Sequence, residues 1–202
     1  MNDRARILTA INEALSPLKE RTARPDLDPA RWVSPTRLTE GGSWEDFRRN
    51  FVAVNGTFLK SFDELSRLLR DANATEGYAD PALRDDLPDT FRDGLILHET
   101  IDRDSIDRYA FGITRAHAAI AESGTVVLRD LDTSDRLAAL APWIHITLVA
   151  KGALFATVTE AIDDLGEDPN TVWVTGPSKT ADVEGILIEG VHGPGIQVCL
   201  PI

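Results

Sequence analysis

The sequence predicts an α/β domain built on a mostly parallel sheet. Three observations carry that reading. From residue 43 onward, segments with apolar residues three and four apart alternate with short apolar runs, the helix–strand alternation of parallel-sheet proteins. Residues 143–150, "WIHITLVA", are apolar almost throughout, as a strand covered on both faces must be. The chain has 202 residues, 43% of them apolar, which suits one domain with a sizeable core.

The elements follow in order. Ile7, Leu8, Ile11, Leu15 and Leu18 lie on one stripe and predict a helix over 3–20. Residues 22–43 hold Pro25, Pro29, Pro35 and the pair Gly41 and Gly42, and read as an extended arm. The expected division is thus a helix and arm over 1–42 and a main domain over 43–202. Ser43 followed by Asp46 caps a helix to about Val54, which Asn55 and Gly56 end. A short strand at 57–60 comes next. Ser61 with Glu64 is a capping box opening a helix with Leu65, Leu68 and Leu69 on one face. Strands are expected at 94–98, 111–114, 118–121 and 125–129, with a short acidic helix near 102–109. Ser134 caps a helix to Leu140. The buried strand 143–150 precedes a helix at 152–164 and a strand at 171–175. Residues 180–191 fit either a helical turn or a strand. In the second case Gly193, Pro194 and Gly195 form a hairpin turn, and 197–201 return as an edge strand.

Charge and cysteine content exclude whole classes. Lys and Arg number 21 against 33 Asp and Glu, a net charge of −12. Such a surface repels nucleic acid and acidic lipid, since polyanion affinity comes from cations that displace counterions. The single thiol, Cys199, holds no iron–sulfur cluster and forms no internal disulfide. The N-terminal residues show no secretory signal, and no run approaches the ~18 apolar residues that span a bilayer. A cytoplasmic location without membrane insertion is expected.

Two loops sit where open α/β sheets bind ligands, beyond the carboxyl ends of strands. One is Gly176, Pro177, Ser178, Lys179, Thr180 and Asp182, directly after 171–175. Gly176 permits close backbone approach. Ser178 or Thr180 would cap a following helical turn, and free N–H groups there, with hydroxyls and the Lys179 ammonium, suit a small carboxylate or phosphate. A Gly-Pro turn followed by an N-cap is equally what any strand-to-helix junction needs. The other loop is Glu122, Ser123, Gly124 and Thr125. A carboxylate desolvated at Glu122 would suit proton transfer, or would simply accept loop N–H bonds. His192 would act as acid or base from the opposite lip, or stand in solvent. His145 reads as a core histidine bonded to backbone. His98 and His117 have no spaced partners, so no metal site is expected. P-loop, dinucleotide and nucleophile-elbow fingerprints are missing, so no cofactor is expected.

The stretch "TGPSKTADVEGILIEGVHGPG" resembles the C-terminal signature of the LUD (lactate utilisation) domain family, LutC/YkgG branch. "FGITRAHAAIAESGTVVL", "APWIHITLVAKGAL" and the strand after "VNG" agree with it over roughly residues 44–202. The resemblance implies a three-layer α/β/α fold similar to sugar-phosphate isomerases and CoA-transferases. It implies the non-iron–sulfur component of a three-protein system oxidising L-lactate to pyruvate, with iron–sulfur partner subunits. The family's motif positions fall on Gly112, Thr114, Glu122, Ser123, Gly124 and Thr125. Further on they fall on Gly176, Pro177, Ser178, Thr180, Asp182, Glu184, His192, Gly193 and Pro194. Two other readings stand beside it. One is a free-standing sugar-phosphate isomerase or acyl-transferase-like enzyme using Glu122; the other is a non-catalytic assembly scaffold.

Overall fold

In the computed structural model, which describes residues 3–17, 38–133, 135–166, 170–181 and 187–202, the chain falls into two units, Met1–Pro35 and Thr36–Ile202. In the first, helix α1 (Asp3–Leu15) carries the expected stripe, with Ile7, Leu8, Ile11 and Leu15 exposed along it. Residues 18–20 of the expected helix and 22–37 of the expected arm lie outside the described residues.

The second unit contains helices α2 (Trp44–Ala53), α3 (Phe62–Asp71), α4 (Asp89–Arg92), α5 (Leu137–Leu140) and α6 (Val158–Leu165). Its strands begin with β1 (Thr57–Phe58), β2 (Glu76–Ala79), β3 (Ile96–His98), β4 (Phe111–Ala116), β5 (Ala118–Ile120) and β6 (Thr125–Arg129). They continue with β7 (Ile144–Val149), β8 (Leu154–Phe155), β9 (Thr171–Val174), β10 (Lys179–Ala181), β11 (Leu187–Glu189) and β12 (Ile196–Pro201). The central sheet runs β1-β12-β7-β4-β2-β3 with every pairing parallel. Beside it lie a mixed sheet, β8-β5-β6-β9, and the antiparallel pair β10-β11.

Alternation of side chains along the central strands builds the layers. Phe111, Ile113, Ile144, Ile146, Leu148, Val198 and Leu200 point to one face, where Leu65 and Leu69 of α3 and Phe91 of α4 cover them. Each such side chain taken from water contributes about 1.5–3 kcal/mol. On the other face Ala116, Val149 and Cys199 meet Phe47 and Phe51 of α2, with Val126 and Leu128 of the mixed sheet. The fold is a three-layer α/β/α arrangement with a mostly parallel central sheet. The strand predicted at 143–150 is β7, buried along its whole length.

Helix α2 starts as its sequence dictates. Ser43 Oγ accepts the Asp46 N–H at 3.2 Å, and Asn55, at φ 69°, turns the chain out after it. The buried Asp46 carboxylate gathers the preceding residues. Its oxygens accept N–H groups from Thr39 (2.9 Å), Glu40 (2.9 Å) and Gly42 (3.0 Å), and Arg49 Nη2 at 2.6 Å. Burial works to raise this carboxyl, but those N–H donors and the guanidinium outweigh it and hold it well below the usual carboxylate range.

Several sequence expectations change. Residues 152–164 do not form one helix: β8 occupies 154–155, and a Thr157–Glu160 capping box starts α6 only at Val158. At Ser61 the box is half made, because Glu64 Oε2 accepts from Lys60 N–H rather than from Ser61. The helix near 102–109 is a 3-10 helix, Arg103–Arg108. Strand β2 has no counterpart among the expected elements. Strand β12 is no returning edge strand: it lies between β1 and β7, parallel to both, so residues 193–195 are not a hairpin turn. The open choice over 180–191 resolves as strand for β10 and β11, while 182–186 and the expected cap Ser134 lie outside the described residues.

Candidate ligand-binding site

Strand β9 ends at Val174, and the chain then turns through Gly176 at φ 75°. Here glycine is required twice over. The left-handed backbone disfavours a side chain, and a Cβ would lie 2.1 Å from the carbonyl oxygen of Val54. Pro177 is buried behind it. Ser178 is then stitched to the second stretch: its N–H donates to Pro194 O at 2.9 Å, and its carbonyl accepts from Gly190 N–H at 2.9 Å. Gly193 presses against it, where a Cβ would come within 3.1 Å of Ser178 Cβ. The Trp143 ring lies across Gly190 and Gly195, both of which would drive a Cβ to 2.3 Å from it. The two turn-rich ends are thus hydrogen-bonded neighbours.

They line one cavity of about 350 Å³. Thr175, Gly176, Pro177 and Ser178 supply one lip, and His192, Gly193 and Pro194 the other. Leu140 of α5 and Gln197 of β12 also face it. Among the described residues no Lys, Arg, Asp or Glu lines it. Among those residues, too, the Ser178 hydroxyl and the exposed His192 ring make no hydrogen bond.

The cavity does not lie where the loops were expected to act. Gly193 and Pro194 lead into β12, and Leu140 precedes β7, so it adjoins the amino ends of central strands. Strand β9 belongs to the mixed sheet instead. The expected helix start is also overturned, because 179–181 form β10. The Ser178 N–H is spent on Pro194, and Lys179 Nζ binds Val54 O at 3.1 Å and approaches Glu189 at 3.6 Å. Lys179 and Thr180 are not among the lining residues, and Asp182 and Glu184 lie outside the described residues.

Behind Gln197 runs a buried polar row across the central strands. Thr114 Oγ1 meets His145 Nε2 at 2.8 Å, His145 Nδ1 meets Gln197 Oε1 at 2.7 Å, and Gln197 Nε2 donates to Thr147 at 3.0 Å. Burial pushes the His145 imidazole down to about 4, against the opposing pull of the Gln197 bond. The ring is neutral at pH 7. A carboxamide oxygen only accepts, so Nδ1 carries the proton, and Nε2 accepts from the Thr114 hydroxyl. His145 is a core histidine as expected, but its partners are side chains rather than backbone. Gly112 stands in the same face, where a Cβ would lie 2.1 Å from Ala138 O of α5.

The second loop is placed differently. Glu122 Oε1 accepts the Val158 N–H at 2.6 Å, in the first turn of α6, and Glu122 is not among the cavity's lining residues. Gly124, at φ 63°, packs against the backbone of α2, where a Cβ would lie 2.4 Å from Phe51 N. Ser123 and Thr125 do reach the cavity, through Thr175. Ser123 Oγ donates to Thr125 Oγ1 at 2.7 Å, and Thr125 Oγ1 bonds Thr175 Oγ1 at 2.7 Å. Thr175, the first residue of the C-terminal signature stretch but not one of its expected site positions, and Gln197, which no motif announces, join the site. Their signals in the sequence are a hydroxyl closing an apolar strand and a lone carboxamide inside another.

Comparison with known proteins follows this geometry. A family model described as the LUD domain matches residues 59–200. The chain is 39% identical over 95 residues to "Lactate utilization protein C" of an Exiguobacterium strain, covering 43% of this chain and 41% of that protein. The protein of the same description from Bacillus subtilis is 37% identical over 91 residues, 41% of this chain and 38% of that one. One from a Geobacillus strain is 35% identical over 124 residues, 55% and 51% respectively. The matched part thus spans about half or less of these relatives' length. The crystal structure of a DUF162 family protein from Deinococcus radiodurans superposes with a TM-score of 0.59 at 22% identity, over 82% of this chain and 99% of that one. That likeness concerns the fold.

Proposed function

This chain belongs to the LUD domain family, and from that premise we propose that it serves lactate utilisation as a C-type component, binding a small 2-hydroxy or 2-oxo carboxylate. The site is the cavity between the two lips. Oxidation of L-lactate to pyruvate releases two electrons and two protons. In this reading the electrons leave through iron–sulfur partner subunits, and this chain contributes binding, orientation and proton exchange without a cofactor of its own. The observation that carries the reading is the convergence of Ser178 and His192, one from each lip, on a single cavity. Among the described residues neither side chain makes a hydrogen bond. The Ser178 hydroxyl donates to a ligand oxygen, and His192 exchanges a proton with it at the cavity mouth. Glu122, bound to the start of α6, serves structure in this scheme.

With no cation among the described lining residues, affinity rests on a few neutral hydrogen bonds, each about 1 kcal/mol. Ser178→Ala is therefore expected to weaken binding about fivefold. Calorimetric titration of L-lactate and pyruvate, with a sugar phosphate as the control, measures it. Tight binding of the sugar phosphate alone would favour the sugar-phosphate reading instead, and binding of none of the three would return the cavity to a packing defect between loops.

A further inference from the structure

The hydroxyl chain beside the cavity has a direction. Each hydroxyl owns one proton and accepts through its lone pairs. Ser123 donates to Thr125 at 2.7 Å; either hydroxyl of the Thr125–Thr175 pair, also 2.7 Å apart, can donate, and the arrangement in which Thr125 donates gives its single proton a partner. Thr125 is almost fully buried, which fixes this arrangement away from competing water. In that arrangement Thr175, at the end of the chain, has its oxygen occupied by the Thr125 proton and its own proton unspent. Thr175 is exposed and lines the cavity. Two hydroxyls feeding it polarise its O–H, strengthening it as a donor.

We propose that Thr175 is the ligand-reading residue of this cavity: a hydroxyl donor, oriented by Ser123 and Thr125, that selects a ligand presenting an oxygen acceptor at the carbon next to its carboxylate. This inference rests on the small-acid reading of the cavity and assigns recognition of the ligand's 2-oxygen to one residue. Ser123 and Thr125 are positioning residues. They touch no ligand and act by keeping the Thr175 proton free. A carboxylate without that oxygen, such as propionate, leaves the donor unanswered.

The test titrates pyruvate, L-lactate and propionate into the wild-type chain and into Thr175→Val, Thr175→Ser and Ser123→Ala. Thr175→Val keeps the shape and removes the hydroxyl. It is expected to weaken pyruvate and lactate about fivefold, one hydrogen bond's worth, and to leave propionate unchanged. Thr175→Ser is expected to restore the preference. Ser123→Ala frees Thr125 to turn, and is expected to reduce the preference about twofold without altering the melting temperature measurably. A general loosening of the loop would weaken all three acids alike, so the ratio between pyruvate and propionate separates reading from packing. If the wild type binds the 2-oxygenated acids and Thr175→Val leaves the ratio unchanged, this inference falls alone. If the wild type binds none of the three acids, the small-acid reading falls with it.

Discussion

Between pH 7 and pH 4.5 the protein is expected to lose about 2.5 kcal/mol of stability through one residue, His145. The sign follows from where the proton goes. In the unfolded chain the imidazole takes a proton near its ordinary 6.5, whereas in the fold burial keeps it neutral down to about 4. Across that window the unfolded state binds more protons, so the contribution is complete above 6.5 and falls as pH drops towards 4. Below 4 this group costs nothing further. Asp46 behaves oppositely: its depressed carboxyl contributes above 3.8 and is lost only at more acidic pH, outside the window. Denaturant titration at several pH values measures the loss. The same series on His145→Gln isolates it, because glutamine still donates and accepts but does not titrate. The variant is expected to be less stable at pH 7 and to show a flatter slope between 6.5 and 4. An unchanged slope would assign the pH dependence to other groups.

Alanine at either of two glycines is expected to cost about 3 kcal/mol or more, since backbone strain and steric overlap combine there. Gly124 and Gly176 hold φ 63° and 75°, and a Cβ on either would enter the backbone of α2 or its cap: 2.4 Å from Phe51 N for the first, 2.1 Å from Val54 O for the second. Neither obstacle is the far end of a flexible side chain, so relief requires moving a helix. Gly176→Ala also displaces the lip that carries Ser178 and should lose ligand binding together with stability. Gly152 is the control. A Cβ there would meet nothing within 4 Å, its backbone is not left-handed, and its alanine variant is expected within about 0.5 kcal/mol of wild type. Chemical denaturation of the three variants checks the ranking. Equal stabilities would mean that α2 yields freely.

Much of the fold is legible in the sequence because local chemistry and final structure agree. The apolar run at 143–150, the Ser43 cap and the Ser61 cap each act within a few residues of themselves. Strand β2 is not legible, because its residues answer to distant contacts. Gly77 leaves room for Phe111, which a Cβ would approach to 2.5 Å, and Glu76 binds His98 and Arg108. Strand β8 is two residues long, too short to show a period. The place of β12 is hidden because Gly193, Pro194 and Gly195 carry turn chemistry; Gly195 instead makes room for Trp143. The same division holds at the site. The lips announce themselves by glycine and proline, whereas Thr175 gains meaning from Thr125, 50 residues away, and Gln197 from His145, 52 residues away.

The position of β12 has a consequence for the birth of the protein. Strand β1 pairs with β12, and β7 needs β12 on one flank, so the interior of the central sheet waits for residues 196–201. While the ribosome is still adding them, β7 presents an apolar edge with its peptide groups unanswered, the kind of surface that recruits other strands. Closure joins segments more than a hundred residues apart, as the pairing of Thr57 with Val198 records, and such closures are slow. The nascent chain should therefore stay protease-sensitive on stalled ribosomes until residue 201 has cleared the exit tunnel, and convert to the resistant form in one late step.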